Sequence, residues 1–238
     1  MKINYKIIGE GDLVVLLHGW GQNIQMMEPL LKSLKNKKVL IIDLPGFGES
    51  DEPDSVWTIE NYADFIHKFV NKLGYEKCSI IGHSFGGKIG LFYASKYDTE
   101  KLILFGSPYK KEITKMSLKV KMLKTIKKII PSEKLIQFAK KHIGSTDYKN
   151  ASQKMRDILT LHVNNDITDN VKKITCPTLI IWGENDTTVD KENAYELEKL
   201  IKDSGVVILP GTHYAYLENI NQVNKIIENF LGGTKWLK

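Results

Sequence analysis

The sequence predicts an α/β protein built on a mostly parallel, doubly wound sheet. Three observations carry that expectation. Short runs of consecutive aliphatic residues recur along the chain, as strands buried on both faces require. Longer amphipathic stretches separate them, which implies right-handed strand–helix–strand units. One stretch, residues 108 to 173, breaks this rhythm with helical, lysine-rich sequence and no convincing strand. The 238 residues therefore divide into a core at 1–107 and 174–238 and a helical insertion at 108–173.

In chain order, the opening MKINYKIIGEGDLVVLLHG alternates and then turns apolar, predicting two strands, the second at Leu13 to Leu17. Val39 to Ile42 reads as a third. Thr58 to Leu73 predicts a helix, with Ile59, Tyr62, Ala63, Ile66, Phe69, Val70 and Leu73 at helical spacing and Gly74 as its stop. Ser79-Ile80-Ile81 and Leu102 to Phe105 are strands on either side of a helix from about Phe85 to Tyr97. After the insertion come a strand at Thr178 to Trp182, a helix from near Asp190 to Lys202, and a strand at Val206 to Leu209. A last helix runs from about Asn219 to Leu231. There are no internal repeats.

Composition excludes several classes. Hydrophobic and charged contents of 42% and 26% are ordinary for a soluble globular protein. Cys78 and Cys176 lie far apart beside apolar runs and read as buried free thiols. No Cys and His pattern has metal-ligand spacing, so no metal is expected. The N-terminus lacks the marks of a signal peptide, and no run reaches ~18 apolar residues, so the expected address is the cytoplasm without membrane insertion. The net charge of +6 invites a nucleic-acid reading, but of 34 basic residues only Arg156 is an arginine. Recognition of base edges and phosphates favours arginine's planar fork, so nucleic acid is not an expected partner.

The chemistry concentrates in Ile80-Ile81-Gly82-His83-Ser84-Phe85-Gly86-Gly87, an apolar strand running through G-x-S-x-G into a helix. The tight turn strains the serine's backbone and lifts Ser84 above the C-terminal edge of the sheet, while Gly82 and Gly86 relieve crowding. A serine hydroxyl is a weak nucleophile and needs a base. Of six histidines, His213 alone sits in a loop directly after a late strand, on the sheet edge where ligands collect. The third member is a carboxylate that orients His213. Asp186, in Trp182-Gly183-Glu184-Asn185-Asp186, is the candidate, with Glu184 and Asp190 as competitors. The order Ser, Asp, His along the chain follows. For the oxyanion of acyl transfer, the donors are the backbone N–H of Phe85 and that of Trp20, in His18-Gly19-Trp20-Gly21-Gln22-Asn23. Trp20 could equally be a packing residue.

Four ordered blocks, HGWGQN, DLPGFGES, GHSFGG and WGENDTTVD with a later GTHYAYLE, resemble the α/β-hydrolase superfamily over residues 18 to 218. The resemblance implies a sheet of seven or eight strands, a lid inserted after strand six, and no cofactor. Asp190, Thr212 and Ile220 depart from the common pattern at loop positions. A serine at position 84, not an aspartate, argues against haloalkane dehalogenase and epoxide hydrolase chemistry. The expected function is hydrolysis of a small carboxylic ester. HGWGQN is also similar to the block of carbon–carbon bond hydrolases. They and a related menaquinone-pathway synthase grip acidic substrates with arginine, for which only Arg156 is available here. A non-catalytic ligand-binding protein of the same fold is the third reading.

The insertion holds 16 basic and six acidic residues. Leu118, Met122, Ile126, Ile129 and Ile130 form an apolar stripe with Lys121, Lys124 and Lys128 largely opposite. This suits a lid helix lying apolar face down. It also suits attraction of anionic acyl substrates or a helix lying on a membrane surface.

Overall fold

The computed structural model describes residues 1–111 and 151–232. Seven strands form one sheet: β1 (Tyr5–Ile8), β2 (Leu13–Leu17), β3 (Lys38–Ile42), β4 (Cys78–His83), β5 (Thr99–Phe105), β6 (Thr178–Gly183) and β7 (Ser204–Leu209). Their order is β1-β3-β2-β4-β5-β6-β7, with β1 antiparallel to β3 and every other pair parallel. With seven strands in place, the insertion follows the fifth in chain order, one earlier than the eight-strand pattern implies.

The helices are α1 (Ile59–Lys72), α2 (Phe85–Lys96), α3 (Gln153–Asn164), α4 (Thr168–Val171), α5 (Glu192–Leu200), α6 (Ala215–Glu218) and α7 (Ile220–Gly232). Because side chains alternate along a strand, each central strand feeds two cores. Leu13, Val15 and Leu17 of β2 join α1, α2 and α5 on one face, while Val14 and Leu16 join α7 on the other. This explains why these strands read as unbroken apolar runs. The connection from β2 to β3 departs from the helical rhythm. It contains two 3₁₀ turns, Ile24–Met26 and Glu28–Ser33, the second with Pro29 in its first turn. Their Ile24, Met27 and Leu30 supply the second core.

Helix α1 shows how local signals set boundaries. Thr58 accepts the Asn61 N–H at 3.2 Å while Asn61 Oδ1 accepts the Thr58 N–H at 2.9 Å, a reciprocal cap. At its other end Gly74 takes φ +84°, which lets its N–H reach Asn71 O at 2.9 Å and the Tyr75 N–H reach Val70 O at 3.3 Å. The described part of residues 108–173 contains α3 and α4. The stripe from Leu118 to Ile130 and its lysines lie outside the described residues. Among the described residues no helix is long and apolar enough to cross a membrane.

The cap makes a prediction. Thr58→Ala removes one of two reciprocal bonds and should lower the unfolding free energy by about 1 kcal/mol in urea denaturation. An unchanged midpoint would mean that α1 is held by packing alone.

Candidate active site

The parallel strands β4, β6 and β7 all end on one edge of the sheet, and the three triad candidates follow them directly. Ser84 closes β4 with φ 51° and ψ −112°, the one positive-φ residue other than glycine among the described residues. A residue with a Cβ occupies such a conformation at a cost of about 1–3 kcal/mol, and only where its surroundings impose it. Here the Ser84 N–H is held by Phe105 O at 2.8 Å and its carbonyl by the Lys88 N–H at 3.0 Å. The helix behind it comes so close that a Cβ on Gly86 would run into the carbonyls of Leu17 and His18. One on Gly82 would meet Gly86 O at 2.6 Å.

His213 and Asp186 meet at 2.7 Å between Nδ1 and Oδ2, with the Asp186 side chain fully buried. The other Asp186 oxygen accepts the N–H groups of Thr188 at 2.8 Å and Val189 at 3.0 Å, so the carboxylate is fixed from both sides. Trp182 Nε1 donates to Val189 O at 3.1 Å and anchors the same loop. Both competing acids lie elsewhere. Asp190 receives the Glu192 N–H at 3.3 Å at the start of α5, and Glu184 is exposed. With Nδ1 donating to the carboxylate, Nε2 of His213 carries the free lone pair.

Neighbours that the motifs did not reveal hold this pair. The acid and histidine loops are joined through backbone bonds from Glu184 N to Leu209 O at 2.8 Å and from Asn185 N to Gly211 O at 2.9 Å. Glu218 accepts both the Thr212 N–H and hydroxyl at 2.7 Å, pinning the residue before His213. Gly106, at φ +50°, lies against the pair, and a Cβ there would sit 3.0 Å from His213 Nδ1 and 3.3 Å from Asp186 Oδ2.

The histidines beside the motifs serve the frame. His18 Nε2 accepts the Leu44 N–H at 3.0 Å, which leaves Nδ1–H to donate to Gly19 O at 2.7 Å. Burial pulls its pKa down to about 4, so it stays neutral. His83 is also buried, with its pKa pushed by desolvation to about 3. It lies between the His213 carbonyl, 3.1 Å from Nε2, and Gln22 Oε1, 3.2 Å from Nδ1; its single proton serves one of them. In the DLPGFGES block, Asp43 is a structural acceptor for Ile24 N–H at 2.7 Å and Glu49 N–H at 2.9 Å.

Among the described residues, neither the Trp20 nor the Phe85 backbone N–H is taken by an intramolecular hydrogen bond. The Phe85 N–H belongs to the first turn of α2, where the helix dipole favours negative charge. Gly19 N–H on Gln22 Oε1 at 3.0 Å fixes the loop that carries Trp20, and its indole packs edge-on against Phe85 at 5.3 Å. A cavity of about 270 Å³ opens beside Ser84, walled by Trp20, Phe85, Leu159, Val163 and Val189. Lys88 and His162 also line it, although neither stood out in the sequence as a site residue. A lysine in the first turn of a mostly apolar helix was the available signal, because the helix dipole disfavours it there. Among the described residues no cluster of His, Cys, Asp and Glu is placed to hold a metal.

The model of the α/β hydrolase fold family matches residues 12–123 and 127–220. The AB hydrolase superfamily protein YisY of Bacillus subtilis is 27% identical, covering 94% of this chain and 92% of its own. The human serine hydrolase BPHL is 27% identical over 97% of this chain and 83% of its own. Among solved structures, the enol-lactonase from Burkholderia xenovorans superposes with a TM-score of 0.76 at 21% identity, over 97% of this chain and 96% of the other. Sheet order, strained serine turn and family match thus agree, and the chain belongs to the α/β-hydrolase fold family.

Proposed function

We propose that this α/β hydrolase cleaves small carboxylic esters by a serine mechanism. The observation that carries the proposal is the 2.7 Å bond between buried Asp186 and His213 Nδ1, which directs the basic nitrogen of His213 away from the acid. In this reading Ser84 Oγ attacks the acyl carbon as its proton passes to His213 Nε2. The carbonyl oxygen becomes an oxyanion between the N–H groups of Trp20 and Phe85. Collapse breaks the ester C–O bond, and the proton on His213 goes to the departing alcohol. His213 then takes a proton from water, hydroxide adds to the acyl-enzyme, and the acid leaves as Ser84 is re-protonated. Asp186 stabilises the transient imidazolium.

The cavity supports a small substrate, since about 270 Å³ lies at the lower end of ligand-binding pockets. Its walls are mostly apolar, which suits an acyl chain. Leu159, His162 and Val163 come from α3, which supports reading 108–173 as a lid over the core formed by 1–107 and 174–238.

A p-nitrophenyl ester series of rising chain length tests the proposal. Ser84→Ala should lose on the order of 10^4-fold or more of kcat/KM, and turnover surviving that change would rule out the serine mechanism. Asp186→Asn should fall by a comparable factor while Asp190→Asn stays near wild type; the reverse would reassign the acid. Glu218→Ala frees the Thr212 anchor and should lower kcat roughly 10-fold or more with KM little changed. A change confined to KM would place Glu218 in substrate binding.

A further inference from the structure

Two buried polar side chains line the Ser84 cavity: Lys88, with no carboxylate beside it among the described residues, and His162, with no hydrogen-bond partner on its ring. Lys88 lies one helical turn beyond Ser84 on α2 and is 2% exposed. Its ammonium donates to His162 O at 2.8 Å and Asn165 O at 2.6 Å, carbonyls at the C-terminal end of α3. Those bonds use two of its three hydrogens. Among the described residues no carboxylate pairs with it. Asp166 acts on it only through its field, being exposed and bonded to Thr168. Buried cations are ordinarily paired, and an unpaired one is costly. Burial lowers the Lys88 pKa to about 8, which still leaves it mostly protonated at neutral pH.

His162 supplies the second, independent observation. It is 3% exposed, packs edge-on against Phe85 at 4.8 Å, and neither ring nitrogen has a hydrogen-bond partner. The Trp57 carbonyl lies nearby without reaching hydrogen-bond geometry. Burial and the charge on Lys88 push its pKa down to about 3, so the ring is neutral and offers one N–H and one lone pair. Each unmet polar atom costs about 1–3 kcal/mol. A lysine serving only to hold α3 would explain its two carbonyl bonds. It would explain neither the missing counter-ion nor the idle imidazole on the same cavity.

We propose that Lys88 and His162 form an anion subsite in the Ser84 cavity, which selects esters carrying a carboxylate on the portion that fills it. The remaining Lys88 N–H supplies one donor to the carboxylate, and the His162 N–H a second once the ring, whose nitrogens are shut off from solvent as it stands, turns towards the cavity. Four residues of helix advance roughly 6 Å, so the anion would sit a few carbons from the ester carbonyl at Ser84. Arg156, the lone arginine, does not line this cavity among the described residues. This inference rests on the ester-hydrolase reading, and its test separates the two.

The experiment compares kcat/KM for monoethyl succinate, glutarate and adipate with the corresponding diethyl esters and ethyl alkanoates. Wild type should favour the best half-ester over its diester by roughly 10-fold or more. Lys88→Met should bring that ratio to about one or below, and His162→Phe should reduce it. Being a ratio, it is insensitive to a general loss from loosened α3. The preference should persist at high ionic strength, because a buried pair is poorly screened. Hydrolysis of neutral esters without a half-ester preference would overturn the subsite, as would a preference unchanged in Lys88→Met or abolished by salt. If no ester turns over, the ester reading fails instead. Calorimetric binding of monoethyl glutarate, with diethyl glutarate as the neutral control, then decides the subsite: wild type should bind the half-ester more tightly and Lys88→Met should not. Equal binding of the two would overturn it.

Discussion

The close approach of helix α2 to the end of strand β2 is the constraint on which the site depends. Gly86 lies against the carbonyls of Leu17 and His18, and that contact draws the first turn of α2 in under the sheet edge. Ser84, between β4 and α2, absorbs the resulting change of direction in a conformation that side-chain-bearing residues avoid. Its N–H is bonded to Phe105 O and its carbonyl to the Lys88 N–H, so the strain cannot relax locally. The same approach sets the first N–H of α2 near the loop that bears Trp20. One packing decision therefore positions the proposed nucleophile and both proposed oxyanion donors.

Around this centre the histidines divide by their partners. His18 and His83 are held neutral by burial and serve as wiring between loops, whereas His213 is backed by a buried carboxylate. Three histidines lie within one edge of the sheet, yet only His213 has an acid on one nitrogen and none of the loop bonds on the other. Lys88 and His162 belong to a different arrangement on a mostly apolar cavity, in which a buried ammonium has no carboxylate partner among the described residues and a buried imidazole has no hydrogen-bond partner.

Much of the frame was legible in the sequence because strands buried on both faces leave no room for polar residues. Leu13 to Leu17 and Thr178 to Trp182 are readable for that reason, and Thr58 and Gly74 mark helix ends by local chemistry. The β2–β3 connection was not legible, since 3₁₀ turns have no distinct periodicity. Ser84 was visible through its strand–turn–helix setting. Asp186 and Asp190 share one loop, and only the geometry separates the acid that meets His213 from the one bonded to Glu192. Lys88 and His162 were hidden by distance along the chain. They become neighbours only when α3 closes on α2, which no local pattern encodes.

The central claim is that Ser84 is a nucleophile activated by His213, and covalent capture tests it most directly. The protein would be treated with a fluorophosphonate and the modified peptide located by mass spectrometry. The account predicts a single adduct on Ser84, formed rapidly in wild type and greatly slowed in His213→Ala. An adduct on another residue, or labelling of Ser84 at the same rate without His213, would contradict it.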